Sequence, residues 1–188
     1  MKRKVILVTD GDDIARKAVE AAVRNIGGRT ISRSSGNPTP LSGKDVIRLI
    51  RKAARDPVVV MVDDCGDPIK GPGEEILQKI VKHPDIDVLG VIAVASNTEG
   101  EDGITVEESV TRDGNVIDGA VDKHGSAKSG RTVTGDTLSI LKELNVPVII
   151  GLGDPGKMGY RDDPAKGAPI TTKALREIME SSGYTAPD

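Results

Sequence analysis

Short apolar runs along this chain break abruptly into aspartate and glycine. Val5-Ile6-Leu7-Val8 runs into Thr9-Asp10-Gly11-Asp12-Asp13, Val58-Val59-Val60-Met61-Val62 into Asp63-Asp64-Cys65-Gly66-Asp67, and Val146-Pro147-Val148-Ile149-Ile150 into Gly151-Leu152-Gly153-Asp154. A run of four to six β-branched residues with no polar alternation reads as a strand buried on both faces. Between the runs the period changes. Asp12 or Asp13 caps a helix over 14–26 with Ile14, Ala18, Ala22 and Ile26 on one stripe, and Gly27-Gly28 stops it. Arg29 to Arg33 reads as a short strand. Ser42 caps a second helix that buries Val46, Leu49, Ile50 and Ala53. A third helix covers Glu74 to Lys82 with Ile76, Leu77 and Ile80 inward, ended by His83-Pro84.

The run from Ile86 to Ala95 supplies a further strand. Ile104–Val110 and Val116–Val121 flank Arg112-Asp113-Gly114-Asn115, and an Asp-Gly pair between strand-like segments signals a hairpin. Leu138, Leu141 and Leu144 suggest a fourth helix before the strand at Val146, and a closing helix covers Thr171 to Ser182. Strands alternating with helices predict an α/β fold: a three-layer αβα sandwich around a mainly parallel sheet, Rossmann-like or Toprim-like, with a β-hairpin inserted at about 104–122. Neither linker, repeat nor low-complexity segment divides it, so residues 1–188 are expected to form one domain.

Composition narrows the function classes. The 188 residues contain no Phe or Trp and two tyrosines, which removes the aromatic platforms that stack single-stranded nucleic acid. The net charge of −3, with both signs interspersed, lacks the one-sided basic excess of a nucleic-acid binder and gives anionic membranes little to attract. Cys65 is alone and forms no internal disulfide. Met1-Lys2-Arg3-Lys4 precedes only four apolar residues, short of a signal peptide, and no run reaches the ~20 apolar residues of a membrane span. A soluble, cytoplasmic protein is expected.

Ligands of open α/β sheets bind at the carboxyl ends of the strands. Asp10, Asp12, Asp13, Asp63, Asp64 and Asp67 fall there, and clustered carboxylates raise one another's pKa unless a cation compensates. Asp10, Asp12, Asp63 and Asp64 are the candidate ligands for Mg²⁺ or Ca²⁺, both oxygen-seeking ions. The competing reading is that these aspartates cap helices and close Asx-turns. The rim resembles a Toprim domain, with Asp10-Gly11 in place of Glu-Gly and Asp63-Asp64-Cys65-Gly66-Asp67 in place of Asp-x-Asp; the shortened acid and the lost spacing depart from that pattern. Gly151-Leu152-Gly153-Asp154-Pro155-Gly156-Lys157 matches G-x-G-x-x-G and nearly a P-loop, making Gly153, Asp154, Gly156 and Lys157 candidate nucleotide contacts. Met158 replaces the Mg²⁺-binding hydroxyl, and Gly159, Pro164, Gly167 and Pro169 delay the helix that must follow such a motif; a structural turn is the alternative. His124, in Asp122-Lys123-His124-Gly125, has no nucleophile tied to it by a motif. Acidic neighbours keep Cys65 from being a reactive thiolate. No catalytic constellation is visible.

Lys4-Val5-Ile6-Leu7-Val8-Thr9-Asp10-Gly11-Asp12 resembles the opening of the stage V sporulation protein AE family, in its soluble form. Ser34–Pro38, Val88–Ser96, Val121–Gly125, Gly153–Met158 and Ser182–Tyr184 are similar to it as well, so the resemblance runs nearly end to end. It implies participation in the sporulation apparatus that moves dipicolinic acid, with calcium, across the spore's inner membrane. The implied partners are the other stage V sporulation A membrane proteins, with membrane contact only through them and no role for nucleic acid. The implied place is the forespore or spore cytoplasm, peripheral at the inner membrane. The resemblance transfers no catalytic residue. A second class of function stays open, a Mg²⁺- or Ca²⁺-binding enzyme or sensor built on the acidic rim.

Overall fold

The computed structural model describes residues 1–65, 71–96, 103–135 and 137–186. The buried runs form the sheet. β1 (Arg3–Val8), β3 (Val58–Met61), β4 (Ile86–Val94) and β9 (Ile149–Leu152) carry almost wholly buried side chains, as strands covered on both faces must. With β2 (Arg29–Thr30), β6 (Glu108–Val110) and β7 (Val116–Asp118) they make a seven-stranded sheet in the order β2-β3-β1-β4-β9-β6-β7. All neighbours are parallel except β6 and β7, the two arms of the hairpin. The hairpin thus extends the sheet at one edge, with β6 laid parallel to β9. β5 (Ile104–Thr105) and β8 (Thr132–Val133) form a separate two-stranded antiparallel sheet.

Helices cover both faces. α1 (Asp13–Asn25) and α4 (Pro169–Ser181) bury Val19, Ala22, Leu175 and Ile178 against Ile6, Met61 and Ile92. On the other face α2 (Gly43–Lys52) and α3 (Pro72–Val81) bury Val46, Ile50, Ile76 and Leu77 against Leu7, Val60 and Val91. This is the expected three-layer α/β fold.

Local expectations shift in four places. Asp12 is the cap of α1, its carboxylate accepting the Ala15 N–H at 2.7 Å, but the buried stripe runs through Ala15, Ala18, Val19 and Ala22, and Ile14 is 52% exposed. The helix turns to bury Val19 and Val23, which leaves Ile14 beside the 153–157 turn. In place of the helix expected from Leu138, Leu141 and Leu144 stands a five-residue 3₁₀ helix, Ser139–Glu143, with Leu141 inside it and Leu138 and Leu144 at its two caps, a spacing of three that suits three residues per turn. β9 starts at Ile149, past Pro147, which has no N–H to give a ladder. The second strand is likewise cut to two residues, and Ser32–Ser34 turns into a 3₁₀ helix.

Gly90 fixes how β4 meets its neighbours. Val5 faces Val88 while Ile6 faces Gly90, so the register slips by one residue there. A Cβ on Gly90 would stand 2.7 Å from the Val148 carbonyl and 2.8 Å from Ile178 Cγ2. Gly90→Ala is therefore expected to lower stability by ~1–3 kcal/mol, the range for overpacking a filled core; chemical denaturation measures it, and an unchanged midpoint contradicts this packing.

Candidate functional site

β1 sends the chain towards β2 on one side of the sheet, and β4 sends it towards β9 on the other. The carboxyl ends of β1 and β4 therefore mark the topological switch point, where open α/β sheets leave a crevice. Thr9 stitches the two ends together: its hydroxyl accepts the Val94 N–H at 3.0 Å, and its own N–H reaches the Ile92 carbonyl at 3.1 Å. The next residue, Asp10, is pointed at the crevice.

Three carboxylates meet here. Oxygen atoms of Asp10, Asp12 and Asp154 lie within 4.8 Å of one another. Asp10 follows β1, Asp12 caps α1, and Asp154 arrives from the end of β9 through a tight turn, its N–H donating to the Lys123 carbonyl at 2.9 Å. The Asp12 N–H donates to Asp10 Oδ1 at 3.3 Å. Burial, and then the charges of Asp12 and Asp154, push the Asp10 carboxyl up to about 8. Desolvation and like charge act in the same direction, so Asp10 carries its proton at neutral pH. Lys157 supplies the other compensation: its Nζ sits 2.6 Å from Asp154 Oδ2, and this partner raises the lysine pKa.

Asp63 stands at the edge of this group. Its Oδ2 accepts the Gly11 N–H at 3.2 Å and its Oδ1 the Cys65 N–H at 3.0 Å, and its charge adds to the upward pressure on Asp10. Gly11 allows the approach, since a Cβ there would collide with the Gly36 carbonyl and stand 3.0 Å from Asp63 Cβ. Asp64 is directed away from the crevice. Its carboxylate accepts the N–H groups of Gly73 at 2.5 Å and Glu74 at 3.2 Å and so serves the N-terminus of α3. Asp13 lies on the exposed side of α1, where hydrogen bonds from Lys17 and Arg16 hold its carboxyl down to about 2. Asp67 lies outside the described residues.

The 153–157 segment folds as a turn. Asp154 Oδ1 accepts the Gly156 N–H at 2.8 Å, and the Lys157 N–H closes onto the Asp154 carbonyl at 2.8 Å. α4 begins at Pro169, twelve residues after Lys157, so the helix that such a motif needs does not follow the glycines. Asp154 and Lys157 join the acidic group instead, while Gly153 is pressed against Gly125, whose N would lie 2.6 Å from an added Cβ. His124 braces the same turn, its exposed ring Nδ1 lying 3.1 Å from the Lys157 carbonyl; a carbonyl only accepts, so Nδ1 carries the hydrogen. The residues the sequence brought forward as two separate sets thus share one site, with Asp154 exchanged for Asp64. The i, i+3 spacing of Asp154 and Lys157 was the available signal for that pairing.

A carboxyl whose pKa is raised by folding binds its proton more tightly in the native state. Its contribution to stability is full below the unfolded pKa near 4 and is lost as pH rises towards 8, at up to ~1.4 kcal/mol per pH unit. Asp10→Asn keeps the acceptor and removes the charge, so the variant is expected to exceed the parent by ~2–4 kcal/mol at pH 8 and to match it near pH 4. Urea midpoints across that range test this; parallel pH profiles for the two proteins contradict it.

Comparison with known proteins bears on the whole chain. No curated protein and no solved structure matches it. The family model described as Stage V sporulation protein AE1 matches residues 4–182, a span holding every element of the sheet from β1's second residue onward and all of the acidic group. On that match the chain belongs to the Stage V sporulation protein AE1 family, with the sporulation-related role that this implies.

Proposed function

We propose that the protein is an accessory component of the sporulation apparatus that moves dipicolinic acid, as its calcium chelate, across the spore's inner membrane, and that it acts by binding the other stage V sporulation A membrane proteins. The observation that carries this reading is the family match across residues 4–182. No helix of the described residues is long and apolar enough to cross a membrane, which fits a division of labour in which the partners span the bilayer. The three-layer body and the loops along its carboxyl edge are the surface that such partners would meet.

A second reading is favoured by the acidic trio. Three carboxylates with oxygens inside 4.8 Å suit Mg²⁺ or Ca²⁺, both of which take oxygen donors, and Asp10, Asp12 and Asp154 would hold the ion. Bound there, it would supply positive charge at the switch-point crevice. Lys157 and the Asp10 proton already offset part of that negative charge, so the ion has to displace both.

The two readings separate in two measurements. On the first, the purified protein floats with phosphatidylcholine proteoliposomes that contain the partner membrane proteins and stays behind with empty ones; failure to float with either contradicts it. On the second, millimolar Mg²⁺ or Ca²⁺ raises the melting temperature, as any ligand of the native state does, and Asp154→Asn removes the rise; a melting temperature indifferent to both ions contradicts it.

A further inference from the structure

At the same carboxyl edge as the acidic trio, but beyond β9, lies a groove of the opposite sign. Its volume is about 500 Å³, and the hairpin turn, the 161–166 segment and the first turns of α4 wall it. Arg112, Arg161, Lys166, Lys173 and Arg176 line it, against a single carboxylate, Asp113. A protein of net charge −3 thus gathers a local excess of four positive charges in one concavity.

Little inside the molecule neutralises these cations. Arg161 pairs with Asp113, and Lys173 reaches Glu177 at 2.5 Å along its own helix. Among the described residues, Arg112, Lys166 and Arg176 have no carboxylate within ion-pair distance. The three come from separate segments, β6–β7, the loop before α4, and α4 itself, so no single helical stripe explains their convergence. A solvated helix face would spread such charges; here three backbone segments aim them into one depression. Like charges held together repel, and an anion seated among them relieves that repulsion.

The N-terminus of α4 does not serve as the anion's cradle. Asp162, 2% exposed, already accepts the N–H groups of Ile170 at 2.8 Å and Thr171 at 3.0 Å, and the Thr171 hydroxyl at 2.5 Å. That internal carboxylate fixes the helix start, and with it the positions of Lys173 and Arg176. Recognition in the groove falls to the side chains. Three of its five cations are arginines, whose forked guanidinium groups match the oxygens of phosphate in pairs.

We propose that this groove is a binding site for a multiply charged phosphate-bearing anion, held by Arg112, Lys166 and Arg176 as the uncompensated cations, with Arg161 and Lys173 at its walls. The site is separate from the acidic trio and does not depend on the accessory role. The groove is open enough to admit either a free oligophosphate or the headgroups of an anionic lipid, and both offer the same chemistry.

The test uses the full chain and two probes. Calorimetry with inorganic tripolyphosphate at low salt, and sedimentation with phosphatidylglycerol vesicles beside phosphatidylcholine ones, are compared for the parent, for Arg112→Gln/Lys166→Gln/Arg176→Gln, and for a control, Lys44→Gln/Lys52→Gln/Lys82→Gln. The control removes the same charge from the α2–α3 face. The expected result is binding of at least one probe that the groove variant weakens tenfold or more and the control leaves within twofold. Loss with tripolyphosphate identifies a free ligand, and loss confined to phosphatidylglycerol vesicles identifies headgroups. Binding of neither probe, or equal weakening in groove variant and control, overturns the proposal. Thermal melts of all three proteins verify that each is folded.

Discussion

Parallel pairing of β3, β1 and β4 is the constraint on which the rest depends. Val5 to Val8 pair with Val58 to Met61 on one side and run beside Val88 to Ile92 on the other, so neighbouring strands end at the same border. Strands buried on both faces have no polar positions of their own, and the polar residues that end them are delivered together. The carboxylates of Asp10 and Asp63 are brought near each other by that register, not by any attraction between them. The fold therefore carries an electrostatic cost at its rim that has to be met locally.

The chain meets that cost in three ways. Asp63 and Asp64 are tied to backbone N–H groups of Gly11, Cys65, Gly73 and Glu74, which spreads their charge over peptide dipoles. Asp154 takes Lys157 as a counterion within a four-residue turn. Asp10, pressed by burial and by the charges of Asp12 and Asp154, keeps its proton. Further along the same edge the balance reverses, with Arg112, Lys166 and Arg176 converging where the hairpin turn meets α4. The carboxyl edge of the sheet thus presents an acidic crevice at the switch point and a basic groove beside the hairpin turn.

Much of this was legible in the residues. The apolar runs pointed to buried strands because each is short, rich in β-branched residues and stopped by Asp and Gly, and Asp-Gly at 113–114 placed the hairpin. What escaped was set by distant contacts. Ile14 shares the stripe of Ala18 and Ala22, yet the pull of Val19 and Val23 turns it outward. The leucines at 138, 141 and 144 fit both helical periods, and the chain takes the tighter one over Ser139–Glu143. At the site, Asp64 could not be told from Asp63 by position, since its use depends on a helix that starts eight residues later. The basic groove had no local signature, because its three uncompensated cations lie up to 64 residues apart in the chain.

Carbon-13 NMR titration of the Asp10 side-chain carboxyl addresses the central claim most directly, since it follows the one group that the strand register forces into the crowded crevice. The account predicts a midpoint near 8, falling when Asp12 or Asp154 is replaced by asparagine. A midpoint in the ordinary aspartate range near 4, unmoved by either replacement, would contradict it.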